Sequence, residues 1–490
     1  MRTIKIYWVC AGLLVCASCS KSFLQKTPES NLTTGNYFTT ATDAENGLTG
    51  VYNSLVNGNF YYYDNFMNED GRSDNCYVNG DNVTAEQPIE NFTLTSSNTN
   101  VQRDWQELYN DVQAANTVLE AVPGINDPTW SGTTRKQQII GEASFLRANA
   151  YYWLVTEWGD VPLILTATGD YYPAKAKAAD VYAQIVIDLK YADSVLGPTP
   201  YGNQLGRATK GAADALLAKT YAQMGDYADC LTYCMDVINS GVYSMVPNYA
   251  NLWGAANKNT TESILEIQFN GSGNPYGNWG GELFDYVASD NWPKRDIASA
   301  DLVNAFTAAG DSGPRYLATM NWNVANASFN MPENAWDPSN PIPFMNKYPD
   351  ADGYNSPDDI VLLRLSDIIL LAAEANNQLG NTAPATLELN QIRNRAGLAN
   401  TTASGQTQLA TAILNERRLE LVHECTRWND LIRADANGVI SLVTLMNSQV
   451  DSHGNNLNYN MATDKHQFFW PIPEQDLLLN SNLTQTPGWQ

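Results

Sequence analysis

Two blocks of helical periodicity enclose a long stretch that has none, and this alternation restricts the fold more than any other feature of the chain. In the first block apolar residues recur three and four positions apart. Ala44, Leu48, Val51, Tyr52 and Leu55 form one stripe; Val101, Trp105, Leu108, Tyr109, Val112 and Leu119 form a second. Ile139, Ala143, Leu146, Ala150, Leu154 and Trp158 form a third, and Val181, Ile185, Leu189, Ala192 and Leu196 a fourth. Thr42 with Glu45 has the spacing of a capping box at the head of the first stripe. Helical spacing resumes at Ile360. Between about 241 and 357, Leu265, Ile267 and Phe269 alternate with Glu266 and Gln268, which predicts a strand. The rest of that stretch, like Asn57 to Asn100, is rich in Gly, Asn, Pro and aromatic residues. The pattern predicts a mainly α protein with a few short strands. Its helical scaffold falls at about 33–56, 101–240 and 360–435, packed against a loop-rich region at about 57–100 and 241–357.

The scaffold repeats itself. Ala218, Gly225, Cys230, Cys234 and Val237 carry small or apolar residues at the same offsets as Ala373, Gly380, Ala385, Leu389 and Ile392. Small residues let two helices approach closely, and a glycine permits a tight turn between them. This is the helix–turn–helix logic of tetratricopeptide repeats. A generic helical hairpin satisfies the same pattern.

The N-terminus sets the compartment. Arg2 and Lys5 precede the apolar run Ile6 to Val15, which ends in Cys16-Ala17-Ser18-Cys19. The run is short of the roughly 20 residues that span a bilayer, and small residues before a cysteine suit a lipoprotein signal peptidase. Residues 1–18 are therefore expected to be a signal peptide, Cys19 the acylated N-terminus, and 19–490 one domain. Several acyl chains hold a protein at a membrane, since each buried CH₂ contributes about 0.8 kcal/mol. The 28 Lys and Arg against 52 Asp and Glu give −24, and loss of Arg2 and Lys5 takes this to −26. Such a charge repels nucleic acid and anionic lipid, and it favours neutral or cationic ligands. Cys76, Cys230, Cys234 and Cys425 are expected to act as small apolar packing residues. His423, His453 and His466 make no metal-ligand spacing. No Gly-x-Ser-x-Gly elbow and no Gly-x₄-Gly-Lys phosphate loop occurs.

The most specific text is C-terminal. It comprises Leu363-Arg364-Leu365-Ser366-Asp367 through Ala375, Leu389-Asn390-Gln391-Ile392-Arg393-Asn394-Arg395-Ala396-Gly397-Leu398, Asn415-Glu416-Arg417-Arg418-Leu419-Glu420-Leu421, Arg427-Trp428-Asn429-Asp430-Leu431-Ile432-Arg433 and Trp470-Pro471-Ile472-Pro473. With Phe23-Leu24, Gly50-Val51-Tyr52, Phe145-Leu146-Arg147-Ala148 and Trp158-Gly159-Asp160-Val161-Pro162, the mature chain resembles the SusD/RagB family of outer-membrane nutrient-binding lipoproteins. His423-Glu424-Cys425 stand where that family usually has an apolar residue, Glu and Gly, and Trp489 where it has Tyr. The resemblance implies a SusD-like fold and a lipid-anchored protein at the outer membrane, facing the cell surface. It also implies a SusC-like TonB-dependent transporter as partner, and capture of glycan without catalysis. Glu416, Arg417, Arg418, Glu420, Glu424 and Arg427 are expected on one long helix, with Arg417–Glu420 and Glu424–Arg427 neighbouring. They read as a charge-paired network tying helices together.

In this family loops away from the repeats form the ligand site. Flat rings serve the apolar faces of sugars, while amides, carboxylates and guanidinium groups serve the hydroxyls. The chain has 13 Trp and 26 Tyr, many outside the helical stripes. The candidate glycan-binding residues are Tyr63, Asp70, Arg72, Asp74, Asn75, Tyr276, Trp279, Trp292 and Trp322. Two other readings stay open. A glycoside hydrolase needs two carboxylates, for which Glu282 with Asp285 or Asp290 are conceivable; a peptide-binding uptake lipoprotein of RagB type needs none. No cofactor is expected, and a structural calcium in an acidic loop stays open.

Overall fold

The structure is a computed structural model that describes residues 37–78, 84–169, 172–272, 277–278, 296–322, 343–350 and 355–489. Eleven helices of ten or more residues occur among them: α1 Ala41–Asn57, α2 Thr99–Ala121, α3 Arg135–Trp158, α4 Ala178–Val195, α5 Lys210–Met224, α6 Tyr227–Asn239, α7 Ala300–Ala309, α8 Leu365–Gln378, α9 Thr382–Arg395, α10 Gln406–Leu421 and α11 Arg427–Ala436. Each of the four predicted stripes lies on the buried face of a helix, or just past its end at Leu196, with only Tyr52, Tyr109 and Leu119 partly exposed. The first cap differs from expectation. Thr40, not Thr42, caps α1, and its capping-box partner is Asp43, whose Oδ2 accepts the Thr40 N–H at 2.8 Å. Both pairs have the right spacing, and the helix begins at the earlier one.

The helices stack in sequence. α2 packs on α3, α3 on α4, α4 on α5, and α5 on α6. The stack then skips α7 and continues from α6 to α8 and from α8 to α9. The repeat is explicit in the α5–α6 and α8–α9 hairpins. Gly225 donates its N–H to the Ala222 carbonyl at 3.0 Å and Asp226 donates to Tyr221 at 2.9 Å. Gly380 donates to Asn377 at 3.0 Å and Asn381 to Asn376 at 2.8 Å. These are the same two-bond helix stop, and it needs a left-handed residue; φ is 75° at Gly225 and 80° at Gly380. Ala218, Cys230, Cys234 and Val237 are buried, as are Ala373, Ala385, Leu389 and Ile392. All four described cysteines are free and buried.

The strands are short and pair only in twos among the described residues. They are β1 Cys76–Val78, β2 Val161–Pro162, β3 Lys175–Ala176, β4 Ser263–Ile267, β5 Asp296–Ala298, β6 Met320–Asn321, β7 Phe344–Met345 and β8 Ile360–Arg364. Each pair is antiparallel: β1 with β5, β2 with β3, β4 with β8 and β6 with β7. The predicted strand is β4, but its alternation is not inside against outside. Glu266 is buried along with Leu265 and Ile267, and register shifts flank Leu265. A second, smaller core joins Cys76, Ala298, Leu302, Phe306, Met320 and Met345 to Leu419 and Val422. It fastens the loop-rich region to the end of α10.

Candidate functional site

The polar stretch after α1 turns inward. It passes through two wide helical turns, Phe60–Asp64 and Met67–Gly71, whose residues are all buried. Tyr63 donates its hydroxyl to Glu86 at 2.7 Å inside the protein. Asp74 accepts two bonds from Arg427, at 2.7 and 2.8 Å, and lies 3.4 Å from Arg418. Burial opposes its ionisation, yet Arg418 and Arg427 hold it down at about 2. Asn75 accepts from Arg418 Nε at 2.9 Å and donates to Asp70 at 2.8 Å. Arg72 pairs with Glu157 at 2.7 Å, its guanidinium 3.7 Å from the Trp470 ring centre and 4.3 Å from that of Trp428.

Asp70 explains an irregularity in the C-terminal motif. α10 ends at Leu421, and α11 begins only at Arg427. In the break His423 and Cys425 both adopt left-handed backbone, with φ of 61° and 55°. Their N–H groups both point at the Asp70 carboxylate, at 3.1 and 3.3 Å. This backbone cradle is why a glycine suits the Cys425 position. Burial, opposed by His423 and by these bonds, leaves Asp70 raised to about 6.

The expectation of one long helix from Glu416 to Arg427 is therefore corrected. So are its internal pairs. Arg417 bonds Asp367 and Asp430, at 2.8 and 2.7 Å. Glu420 serves Arg364 at 2.8 Å, Arg315 at 3.1 Å, and Arg395. Glu424 takes Arg364 and Lys347, and Arg427 takes Asp74. The charges do tie elements together, but across the fold.

The same geometry corrects five of the candidate ligand residues. Tyr63, Asp70, Arg72, Asp74 and Asn75 are buried and each bonds a protein partner, although Arg72 Nε and Nη1 make no hydrogen bond among the described residues. A buried charge pair is expensive to open, so Asp70, Asp74 and Asn75 fasten the loop region to α10, α11 and the break between them, while the Arg72–Glu157 pair fastens it to α3. The bridge extends further: Ser299 donates its N–H to the Asn75 carbonyl and its hydroxyl to the Asp74 carbonyl, each at 2.9 Å. That places β5 and the head of α7 on the clamp.

Trp322 is different. It lies directly after β6, half-buried, and packs on the second core. Its indole N–H donates to the Tyr316 hydroxyl at 2.6 Å, and the Tyr316 ring meets Phe306 edge-on at 5.3 Å. Tyr316 sits on the short helix Pro314–Thr319, which is anchored by its neighbour Arg315. Arg315 is fully buried and pairs with Asp311 and Glu416 at 2.7 Å and Glu420 at 3.1 Å. The charged network thus fixes a ring pair whose faces are only partly covered. Sequence reasoning picked Trp322 and missed Tyr316, which follows a buried arginine and precedes an exposed leucine. Tyr276, Trp279 and Trp292 lie outside the described residues, as do Glu282, Asp285, Asp290 and Cys19. Among the described residues, no group of three or more His, Cys, Asp or Glu stands close enough to hold a metal ion. No described helix is long and apolar enough to cross a membrane.

A stack of paired helices clamped by buried ion pairs to an aromatic loop region defines a tetratricopeptide-like scaffold carrying a separate loop face. Comparison with known proteins names the class. A profile described as SusD family matches residues 312–489, and one described as starch-binding associating with outer membrane matches 22–222. A SusD-like protein of Formosa agariphila is 27% identical over 468 residues, covering 85% of this chain and 87% of that protein. One of Bacteroides ovatus is 26% identical, covering 87% of this chain and 82% of that protein. A solved laminarin binding SusD-like protein superposes with a TM-score of 0.76 at 25% identity, covering 92% of this chain and all of that one (100%). A SusD superfamily protein from Bacteroides vulgatus gives 0.78 at 22%, covering 91% and 99%. The chain belongs to the SusD/RagB family.

Proposed function

We propose that this protein is a cell-surface lipoprotein, anchored to the outer membrane through Cys19. It captures a neutral oligosaccharide without cleaving it and passes it to a SusC-like TonB-dependent transporter. The observation that carries the reading is the Trp322–Tyr316 pair, held half-exposed on the loop face by a buried arginine in a chain of this family. A preorganised ring loses little entropy when a sugar stacks on it. The laminarin-binding relative makes a neutral β-glucan a sensible first ligand, and the net charge of −24 disfavours anionic polymers. Tyr276, Trp279 and Trp292 are proposed to extend the same face. In the clamp Asp74 is spent on arginines and Asp70 on Asn75 and two backbone N–H groups, which supports a structural rather than a hydrolytic role for them.

The test is calorimetric titration with laminarin oligosaccharides and other neutral glucans, with product analysis of each mixture. Saturable binding without fragments is expected, and Trp322→Ala should weaken it about 2- to 10-fold, as loss of one stacking contact worth about 0.5–1.5 kcal/mol would. Released sugar would favour the hydrolase reading. Binding of peptides but no glycan would favour peptide uptake.

A further inference from the structure

Away from the Trp322 face the fold forms a pocket of about 300 Å³ that is open on one side. Four further cavities lined by described residues hold about 10 to 20 Å³ each, room for a water at most. The large one lies between α1, α3 and the β4–β8 ladder. Its apolar lining is Leu55, Val56, Phe145, Leu265, Ile267 and Leu362. Asn53, Asn149, Gln204 and Gln268 line it with amides, of which Asn149 Nδ2 already donates to Tyr61, Gln204 Oε1 accepts from Arg207 and Gln268 is paired with Asn259; Thr49 adds a hydroxyl that donates to the Glu45 carbonyl. The lining has a single base and a single acid, and neither is free. Arg207 donates to Glu142 at 3.0 Å and to Gln204 at 2.5 Å. Glu266 is buried and accepts the Asn259 N–H at 2.9 Å.

The surroundings are built for this space. The register shifts of β4 flank Leu265, a lining residue, and such irregularities re-aim side chains beside sites. The segment Gln204–Arg207 covers one side. Gly206 holds it against β4 with a φ of 82°; a Cβ there would stand 2.7 Å from Gln268 Cγ and 3.2 Å from the Glu266 carbonyl. Beside it Leu205 is 59% exposed at the mouth.

We infer that this cavity is a binding site for an uncharged small amphiphile: an alkyl or aromatic body on the apolar lining, and a hydroxyl-bearing end among the amides. The size is that of the smaller ligand pockets, about 300–1,000 Å³. Arg207 is neutralised by Glu142, and Glu266 is buried and turned to the Asn259 N–H, so an ionised ligand would pay desolvation for a weak counter-charge at most. The site is separate from the oligosaccharide face and does not rest on that reading, since a long polymer needs an open surface.

The test uses the purified protein in detergent-free buffer, titrated with n-octanol, with octyl β-glucoside below its micelle-forming concentration, and with glucose. Octanol and octyl β-glucoside should each bind saturably at one site, and glucose should not. Val56→Trp, which fills the cavity, should abolish binding. Leu205→Asp, an exposed change that leaves packing intact, should weaken it at least about tenfold by placing a charge at the mouth. The inference is overturned if neither amphiphile saturates, or if glucose alone competes with octyl β-glucoside. It is equally overturned if the folded Leu205→Asp protein binds both amphiphiles as the parent does.

Discussion

At the scale of single residues, the strongest statement concerns Asp74. It faces two arginines inside the protein, so its removal strands Arg427 and Arg418 rather than merely losing a contact. Asp74→Ala should cost about 3–5 kcal/mol of stability, read as a lower urea midpoint. A loss under 1 kcal/mol would show that the clamp is solvated. Cys425 makes a second case. Its φ of 55° is tolerable for a small unbranched side chain and poor for a branched one. Cys425→Val should destabilise by about 1–3 kcal/mol in the same urea titration, whereas Cys425→Gly should change stability by less than about 1 kcal/mol. Equal effects of the two would remove the cradle argument. The residue scale is also where sequence reading failed. The Asp74–Arg427 pair spans 353 positions, and no periodicity announces a bond of that range. An acidic and amide-rich segment beside three tyrosines looks the same whether it meets a sugar or an arginine.

Among the elements, the repeat was legible because its rules are local. Small residues at fixed offsets dictate close helix pairs, and glycine dictates the stop, so the α5–α6 and α8–α9 hairpins follow from text alone. An added Cβ at Gly225 or Gly380 would meet nothing within 4 Å. Gly225→Ala and Gly380→Ala should therefore each cost only the left-handed backbone strain, about 1 kcal/mol, seen as a small fall in melting temperature. A loss several times larger would mean that the turn also packs against something. What text could not supply was the break between α10 and α11. Helical spacing runs through residues 416 to 427, and the chain leaves the helix because a distant carboxylate, Asp70, rewards two left-handed residues with hydrogen bonds. The cap of α1 slipped for a humbler reason: Thr40–Asp43 and Thr42–Glu45 obey the same rule two residues apart.

For the whole molecule, the buried carboxylates set a pH dependence. Burial raises Glu90 and Asp296 to about 8, Asp111, Glu157, Glu266 and Asp358 to about 7, and Asp70 to about 6. In the unfolded chain these groups titrate near 4. The folded state therefore holds more protons between pH 4 and 8, so stability falls as pH rises through that window. Asp74 and Glu420, held at about 2 against burial by their arginines, act oppositely but only below pH 4. Scanning calorimetry should show the melting temperature falling from pH 5 to pH 8; a rise across that range would mean these groups are charged in the folded protein. The fold class and family were readable from the chain because a helical stack and its motif text are distributed over hundreds of residues. Of the candidate ligand residues among those described, only Trp322, an aromatic outside any stripe, is half-buried rather than buried. The molecule divides into a charged internal clamp and the half-buried Tyr316–Trp322 pair. Hydrogen–deuterium exchange with and without a bound neutral oligosaccharide tests this division most directly. Protection should gather on the Pro314–Trp322 segment and leave α5–α6, α8–α9 and the α10–α11 break unchanged; protection on those hairpins with none at 314–322 would contradict it.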